Sequence, residues 1–307
     1  MELPLAEVCA RLVALGLWER VMPYHWAVKP RGTALPYFCA IRRGERPSVA
    51  FRFMLLEGWQ TFRDYIHTCA RNDYAFYSTP MELPHFELVV FSDGKAAKVF
   101  RHDPGYVPVS LTAEQEKTCA RMLWEVYGVM MRIESDPQLP LSFSDSQAVF
   151  ARVEGADGVW RDAPLAIPAE RQYVERISFA KADIAKAKDL KFDATFKLEL
   201  DFGLKPDMMT TEARPRCAYL LAAADAESGE KVIWECVSVS RETGLKGLWE
   251  GLAAHFLKRI LALGRVPGEV RVKSPRVFRM LRPLCIELPF KLSLHDSLPA
   301  LAKILGK

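Results

Sequence analysis

Hydrophobic and polar residues alternate most regularly in residues 192–202, the segment FDATFKLELDF. Apolar side chains occupy every second position there, which is typical of a β-strand with one buried face. A nearly continuous apolar run, CAYLLAAAD, begins at Cys217 and predicts a strand that is buried on both faces. A turn at Ser228-Gly229 and the segment KVIWECVSVS then predict a third strand, antiparallel to the second.

Helical and strand patterns alternate after this hairpin. Apolar residues at helical spacing predict a helix over residues 245–263, which ends at Gly264. The strand EVRVK follows, and Ser274 is a suitable N-cap for a helix with Pro275 in its first turn. The strand PFKLSLH and the helix SLPALAKIL complete the order β-β-β-α-β-α-β-α. Three antiparallel strands followed by βαβ crossovers form a ribonuclease-H-like order, and an α/β sandwich with another strand order is the alternative.

The first 140 residues predict a mixed unit of helices and hairpins. The N-terminal segment has the spacing of an amphipathic helix, and a long helix begins after Thr112, which forms a capping box with Gln115. The predicted hairpins join residues 36–43 to 48–55 through a turn at 44–47, and residues 85–91 to 95–102 through a turn at 92–94.

Prolines interrupt the segment between this unit and the strand at residue 192. Two short stretches, QAVFARV and GVWRDAPL, predict a strand pair around the turn at residues 155–158. We therefore predict an α+β protein with an N-terminal mixed α+β domain (residues 1–140), an irregular or β connecting segment (141–190) and a C-terminal α/β domain (191–307).

Composition places the chain among ordinary globular proteins. Of its 307 residues, 50% are hydrophobic and 26% are charged, which allows a full core. No apolar run approaches the roughly 20 residues of a membrane span, and the charged N-terminus does not resemble a signal peptide. We therefore expect a cytoplasmic protein without membrane contact. The seven cysteines form no CxxC pair and are expected to be reduced core residues.

Basic residues are concentrated near the C-terminus. Between Lys258 and Lys291 the chain has nine Lys or Arg and two Asp or Glu. Such a concentration can attract phosphate groups, and the alternative is an ordinary solvated surface. The candidate nucleic-acid-binding residues are Lys258, Arg259, Arg271, Lys273, Arg276, Arg279 and Arg282.

Catalytic motifs are missing from the sequence. It contains no GxSxG, Walker P-loop or HExxH motif, and no GxGxxG follows a strand. A two-metal nuclease needs several converging carboxylates. In ribonuclease-H-like nucleases one such acid lies at the strand tip that Lys273 and Ser274 occupy here. The remaining candidates for a catalytic set are Asp225, Glu250 and Asp296, and we assign no metal ligand and no cofactor.

Aromatic and histidine side chains are interpreted mainly as structural. Trp59, Trp124, Trp234 and Trp249 lie in apolar stripes or strands and are predicted to be core residues. His102 precedes Asp-Pro-Gly and is interpreted as an exposed turn residue.

The C-terminal third also contains a recurring set of turn and packing residues. They are Arg214-Pro215, Asp225, Ser228-Gly229, Leu248-Trp249, Gly264 with Pro267, Ser274, and Leu298-Pro299 with Leu301. This pattern resembles a widespread bacterial domain of unknown function. The N-terminal part, with GYVPVSLT before a long helix, resembles the unit commonly found in front of that domain. The resemblance implies a two-part bacterial protein of uncharacterised role and provides no catalytic residues to carry over.

Three functions follow as hypotheses. The first is a non-catalytic binding or interaction protein, because the chain has no nucleophile motif and no acid at the strand tip. The second is nucleic-acid binding through the basic C-terminal helix. The third is a metal-dependent nuclease or hydrolase with a ribonuclease-H-like core. The partner, protein or nucleic acid, is not specified by the sequence.

Overall fold

A computed structural model of the chain describes residues 3–16, 25–43, 48–70, 82–91, 97–143, 145, 147–169, 176–209 and 212–306. The chain divides into two units. The first contains the described residues up to Ala169 except Gly105–Val107, and the second contains those three and the residues from Arg176 onward. The predicted connecting segment, residues 141–190, is therefore divided between the two units.

The first unit is a mixed sheet with helices on both faces. Its strands are β1 (Trp26–Lys29), β2 (Tyr37–Arg43), β3 (Val49–Glu57), β4 (His85–Phe91), β5 (Ala97–His102), β6 (Val109–Ser110), β7 (Ala148–Glu154) and β8 (Trp160–Ala166). Its helices are α1 (Leu5–Leu15), α2 (Gly58–Ala70), α3 (Ala113–Ser135) and α4 (Leu139–Ser142). The strand order is β6-β5-β4-β3-β2-β1-β7-β8, and only the β1–β7 pair is parallel.

The three hairpins predicted in this unit are confirmed as antiparallel pairs: β2–β3, β4–β5 and β7–β8. The predicted turns at residues 44–47 and 92–94 lie outside the described residues. The capping box at the start of α3 is also confirmed, since the Gln115 backbone N–H donates to Thr112 Oγ1 and the Gln115 side chain accepts from the Thr112 N–H.

Two apolar layers cover this sheet. Helices α1 and α3 contribute Leu12, Met122 and Val126 to the layer on one face, and all three side chains are fully buried. On the other face, α2 packs its aromatic side chains against the sheet, where the rings of Phe62 and Phe38 stack with centroids 4.4 Å apart. Because apolar layers cover both faces, residues 85–90 of β4 are all buried, as are residues 53–56 of β3.

Charged residues connect α3 to the β7–β8 hairpin. Arg152 donates to Glu125 at 2.7 Å and to Asp162 at 2.9 Å, and Arg132 donates to both carboxylate oxygens of Asp162. Burial raises the pKa of Asp162, but the hydrogen bonds from Arg132 and Arg152 lower it, and the pKa lies below its ordinary value of 3.8.

We expect Asp162→Asn to lower the free energy of unfolding by about 1 kcal/mol at neutral pH, because the amide cannot balance two guanidinium groups. A carboxyl group with a depressed pKa stabilises the fold above its unfolded value, and this contribution is lost as pH falls through the folded value. The difference between wild type and variant in urea unfolding should therefore shrink from pH 7 to pH 3. The control is the exposed Asp157, which pairs with the exposed Arg161 and accepts the Val159 N–H, and Asp157→Asn should have a smaller effect. A difference that is constant with pH would contradict the assignment.

The second unit is a mixed sheet with connecting helices. Its strands are β9 (Lys191–Met209), β10 (Cys217–Asp225), β11 (Lys231–Ser238), β12 (Arg265–Val272) and β13 (Lys291–Leu294). Its helices are α5 (Lys181–Lys188), α6 (Gly244–Glu250), α7 (Leu252–Leu263), α8 (Pro275–Glu287) and α9 (Pro299–Leu305). The order is β11-β10-β9-β12-β13; β9, β10 and β11 are antiparallel, whereas β12 is parallel to both β9 and β13. The predicted α+β class, with three antiparallel strands followed by βαβ crossovers, is confirmed.

Different helices pack on the two faces of this second sheet. On one face, Trp249 of α6 packs against the rings of Phe202 and Tyr219, and α7 and α8 lie beside it. On the opposite face, Leu301 of α9 packs against alternate residues of β10, including Leu220. We call this second side the α9 face.

Of the four tryptophans predicted to be core residues, Trp249 is buried, Trp59 is partly buried, and the other two are exposed. Trp234 is 41% exposed because it lies on the edge strand β11, where the Lys231 ammonium approaches its ring. Trp124 is 38% exposed on α3, stacks on Tyr127 and is approached by the Arg11 guanidinium. An apolar stripe therefore identified the helix or strand correctly but not the burial of these two rings.

The prediction of buried, reduced cysteines is correct for four of the described cysteines. Cys9, Cys39, Cys119 and Cys217 are buried free thiols, as expected, and burial raises the pKa of Cys9 to about 12. Cys236 is exposed, because it also lies on the edge strand β11.

None of the described helices is long and apolar enough to cross a membrane.

Candidate functional site

The three acids predicted as a catalytic set have separate local roles. Asp225 ends β10 and accepts hydrogen bonds from the backbone N–H groups of Glu227 and Ser228 at 2.9 and 2.8 Å. Burial raises the pKa of Asp225, but these bonds lower it below its ordinary value. Glu250, at the end of α6, accepts from the backbone N–H of Arg176 at 3.1 Å. Asp296 follows β13 and is exposed.

The structure does not bring these three carboxylates together. Strands β10 and β13 are separated by β9 and β12, and neighbouring strands lie about 4.8 Å apart, so the strands that precede Asp225 and Asp296 are about 14 Å from each other. Metal ions of a two-metal site lie only about 3.5–4 Å apart. Among the described residues, one group of three potential ligands is close enough to share an ion, and none of these acids belongs to it.

The strand tip that carries an acid in ribonuclease-H-like nucleases has a structural role here. Ser274 caps α8, because its hydroxyl accepts the Val277 N–H at 3.4 Å, as the sequence predicted. On the first strand of the sheet, Glu199 is 2% exposed and accepts the Leu301 N–H of α9 at 2.9 Å. Asp201 is 8% exposed and accepts the N–H of the next residue. The position of α9 explains why these acids are covered rather than open to solvent.

The seven candidate basic residues lie on both sides of the second sheet. Arg271 lies beside Glu199 in the β9–β12 register, and therefore on the α9 face, where it donates to Glu269 at 3.0 Å. On the opposite face, Arg259 of α7 donates to Glu235 at 2.7 Å. The structure thus separates Arg271 from the other candidates and pairs two of the seven with carboxylates.

Helix α8 presents most of the remaining basic residues. Lys273 precedes the helix, and Arg279 and Arg282 follow at successive turns of its exposed side. None of these three has an acidic partner within 4.0 Å among the described parts of the chain. We call them the α8 surface. Arg276 differs, because its guanidinium lies 3.8 Å from the centre of the Trp249 ring. Lys258 is exposed on α7.

The sequence interpretation missed one cluster, in the first unit. His85 and His102 lie directly opposite each other on β4 and β5, and their rings stack with centroids 4.1 Å apart. Glu87, two residues after His85, accepts from His102 Nε2 at 3.0 Å and from Arg52 Nη1 at 3.0 Å. The interpretation of His102 as an exposed turn residue is wrong, because this side chain is 4% exposed at the end of β5. The alternation His85-x-Glu87 within a predicted hairpin was the available signal.

Burial determines the charge of His85, and the neighbouring His102 and Arg52 determine that of Glu87. Desolvation, aided by the neighbouring His102, lowers the pKa of His85 to about 3. Burial raises the pKa of Glu87, but the hydrogen bond from His102 and the charges of His102 and Arg52 lower it to about 2. At neutral pH the cluster therefore presents a neutral imidazole beside a carboxylate in a dry environment. Two imidazoles and a carboxylate are a ligand set used for transition metals.

Comparison with known proteins identifies one region of the chain. No curated protein and no solved structure matches the sequence significantly. Residues 183–307 match the family described as "Domain of unknown function (DUF6930)". This region includes all the strands of the second sheet and the helices from α6 to α9. The expectation of a domain of unknown function at the C-terminus is therefore confirmed.

Proposed function

We propose that the protein is a non-catalytic binding protein whose second unit is a ribonuclease-H-like fold without a nuclease site. The strand order β11-β10-β9-β12-β13, with β10 antiparallel to its neighbours, supports the fold assignment. The observation that carries the proposal is the strand tip after β12, where Lys273 and the helix cap Ser274 stand. A cation at that point repels Mg²⁺, and of the two buried acids on β9, Glu199 accepts the Leu301 N–H of α9 and Asp201 accepts the Phe202 N–H.

The alternative of a metal-dependent hydrolase gains no support from the three acids first considered. Asp225 closes a turn, Glu250 accepts from a backbone amide, and Asp296 follows the edge strand β13, which β9 and β12 separate from β10. The proposal of a non-catalytic protein therefore rests on where the acidic side chains lie, and not on whether a metal ion is present.

A second candidate function, nucleic-acid binding, is favoured by the α8 surface. Surface cations in this unit are commonly paired with carboxylates, as Arg259 is with Glu235, whereas Lys273, Arg279 and Arg282 have no such partner among the residues that the structure describes. Unpaired cations on the exposed side of one helix can follow a phosphate backbone. Each phosphate that they neutralise releases counterions, so affinity would fall steeply as salt increases.

One assay tests both proposals. Labelled single- and double-stranded DNA and RNA are mixed with the protein in Mg²⁺ or Mn²⁺, and anisotropy and strand length are recorded from 50 to 200 mM salt. We expect salt-sensitive binding and intact strands. The double variant Arg279→Gln/Arg282→Gln should reduce the slope of log affinity against log salt by about 2, because two phosphate contacts are lost.

The matched control removes two exposed charges from the first unit, Lys98→Gln/Lys117→Gln, and should leave the slope unchanged. Cleavage that disappears in Asp225→Ala or Glu199→Gln would contradict the non-catalytic proposal. Absence of binding at 50 mM salt would exclude the nucleic-acid candidate and leave a protein partner as the occupant to be sought.

The setting of the protein is part of the same proposal. We infer a cytoplasmic protein of a two-part bacterial family, supported by the resemblance of both parts of the sequence. The free, buried thiols of Cys39 and Cys119 fit a reducing compartment. Fractionation of cells that express the protein tests the location. Detection in the cytoplasmic fraction would support the proposal, and detection in the membrane fraction would contradict it.

A further inference from the structure

The β4–β5 hairpin places three potential metal ligands on one face of the first sheet. His85 and His102 occupy directly opposed positions, and Glu87 projects from the same side of β4 as His85 because it follows two residues later. The nearest ligand atoms of the three side chains all lie within 4.8 Å of one another, and all three residues are buried. Two rigid neighbouring strands therefore hold this set, rather than a loop.

Hydrogen bonds fix which nitrogen of His85 has a lone pair. His85 Nδ1 lies 2.7 Å from the carbonyl oxygen of Leu83, which can only accept, so Nδ1 carries the proton. Nε2 then has the lone pair, and it is buried without a hydrogen-bond partner among the described residues. An N–H donated to a backbone carbonyl is the usual way in which proteins orient a histidine that binds a metal through its other nitrogen.

The same reasoning applies to His102. Its Nε2 lies 3.0 Å from Glu87 Oε2, and an ionised carboxylate can only accept, so Nε2 carries the proton. An ion that also binds Glu87 must bind His102 through this same Nε2, in place of its proton, because Nδ1 points away from the carboxylate. A buried polar atom without a partner costs about 1–3 kcal/mol, so the Nε2 atom of His85, which has none among the described residues, requires an explanation.

We propose that His85, Glu87 and His102 bind a divalent transition-metal ion. Two imidazole nitrogens and one carboxylate oxygen suit Zn²⁺ or Fe²⁺, whereas Mg²⁺ and Ca²⁺ take oxygen ligands. Metal bonds of about 2.0–2.2 Å bring ligand atoms to within about 3.4 Å of one another, so the side chains must move together by about 1 Å. Small changes in the side-chain torsion angles of Glu87 and of the two histidines provide this movement.

The charge of Arg52 does not prevent binding. Arg52 contacts Oε1 of Glu87, while the other oxygen, Oε2, faces His102. The Arg52 side chain is 30% exposed, so water partly screens its charge. The neutral imidazole of His85 adds no repulsion, and the carboxylate of Glu87 supplies one negative charge. The site lies in the first unit, and the inference does not depend on the function proposed for the second.

Because the ligand atoms are buried, the ion is expected to be incorporated when the chain folds. The test therefore uses the full-length protein without an affinity tag, unfolded in denaturant with a chelator and refolded with Co²⁺. After desalting, we expect roughly one Co²⁺ per chain and visible d–d absorption of nitrogen- and oxygen-coordinated cobalt. Refolding with Zn²⁺ should raise the melting temperature, and refolding with Mg²⁺ should not.

Variants identify the ligands. His85→Gln and Glu87→Gln should each lose the bound Co²⁺, whereas His255→Gln, which changes a partly exposed histidine of the second unit, should retain it. Circular dichroism shows whether each variant folds. The wild-type spectrum decides the matter even if a variant does not fold: no retained Co²⁺, or intense sulfur-to-cobalt charge-transfer bands, would overturn the assignment. Retention of Co²⁺ by a folded His85→Gln protein would do the same.

Discussion

Gly268→Ala is expected to prevent the second unit from folding normally. A Cβ at this position would lie 2.7 Å from the carbonyl carbon of Ala194 and still closer to its oxygen. These atoms belong to the backbone of β9, the central strand, so they cannot rotate away as a side chain would. Relief requires β12 to separate from β9. We expect the free energy of unfolding to fall by about 3 kcal/mol or more.

Urea unfolding of the purified variant, followed by circular dichroism, measures this effect. The matched control is Gly128→Ala in the helix α3, where an added methyl group meets nothing within 4 Å. Because alanine favours a helix over glycine, Gly128→Ala should stabilise the first unit by about 0.5–1 kcal/mol. The same chemical change should thus have opposite signs at the two sites. An unchanged midpoint for Gly268→Ala would show that β12 and β9 do not approach as described.

This close approach could not be predicted from the sequence. The pattern EVRVK predicted a strand that begins at Glu269, but β12 begins at Arg265 and includes Pro267. Proline is tolerated because the β9–β12 pairing shifts register between Pro267 and Glu269. Whether the ladder shifts depends on Ala194, a residue far away in the chain, and no local pattern contains that information.

Features that depend on near neighbours were predicted well. The caps Thr112 and Ser274 bond to backbone groups three residues ahead, so the local sequence determines them. The alternation along β9 likewise identified the strand. Glu199 and Asp201 occupy the polar positions of this alternation, yet both are buried, because α9 covers their side of the sheet.

The sequence interpretation did not identify the candidate metal site, for a related reason. His102 was judged by its neighbours Asp103 and Pro104, which are typical of a turn, whereas its environment is set by the strand opposite. His85 and Glu87 are recognisable as same-face residues only when β4 is known to be a strand. Their relation to His102 further requires the register of the hairpin, and the hairpin's predicted turn leaves that register open.

Trp249→Ala is expected to have the second large effect on stability. Trp249 is 5% exposed, and its ring meets the Phe202 ring at 90° with centroids 5.2 Å apart. Tyr219 contributes a second edge contact, and Arg276 of α8 lies over the ring. This one side chain therefore joins α6 to two strands and to α8. Its removal should lower the free energy of unfolding by about 3–5 kcal/mol.

The same substitution at Trp234 is the control, because that ring is 41% exposed on the edge strand β11. Trp234→Ala should lower the free energy of unfolding by less than about 1 kcal/mol, as is usual for a surface change. Arg276→Met separates the cation from the packing: losing the contact with the Trp249 ring should cost about 1 kcal/mol or less. Equal costs for Trp249→Ala and Trp234→Ala in urea unfolding would mean that α6 is not anchored through its tryptophan. A large difference would establish Trp249 as the side chain that holds the helical layer on the sheet.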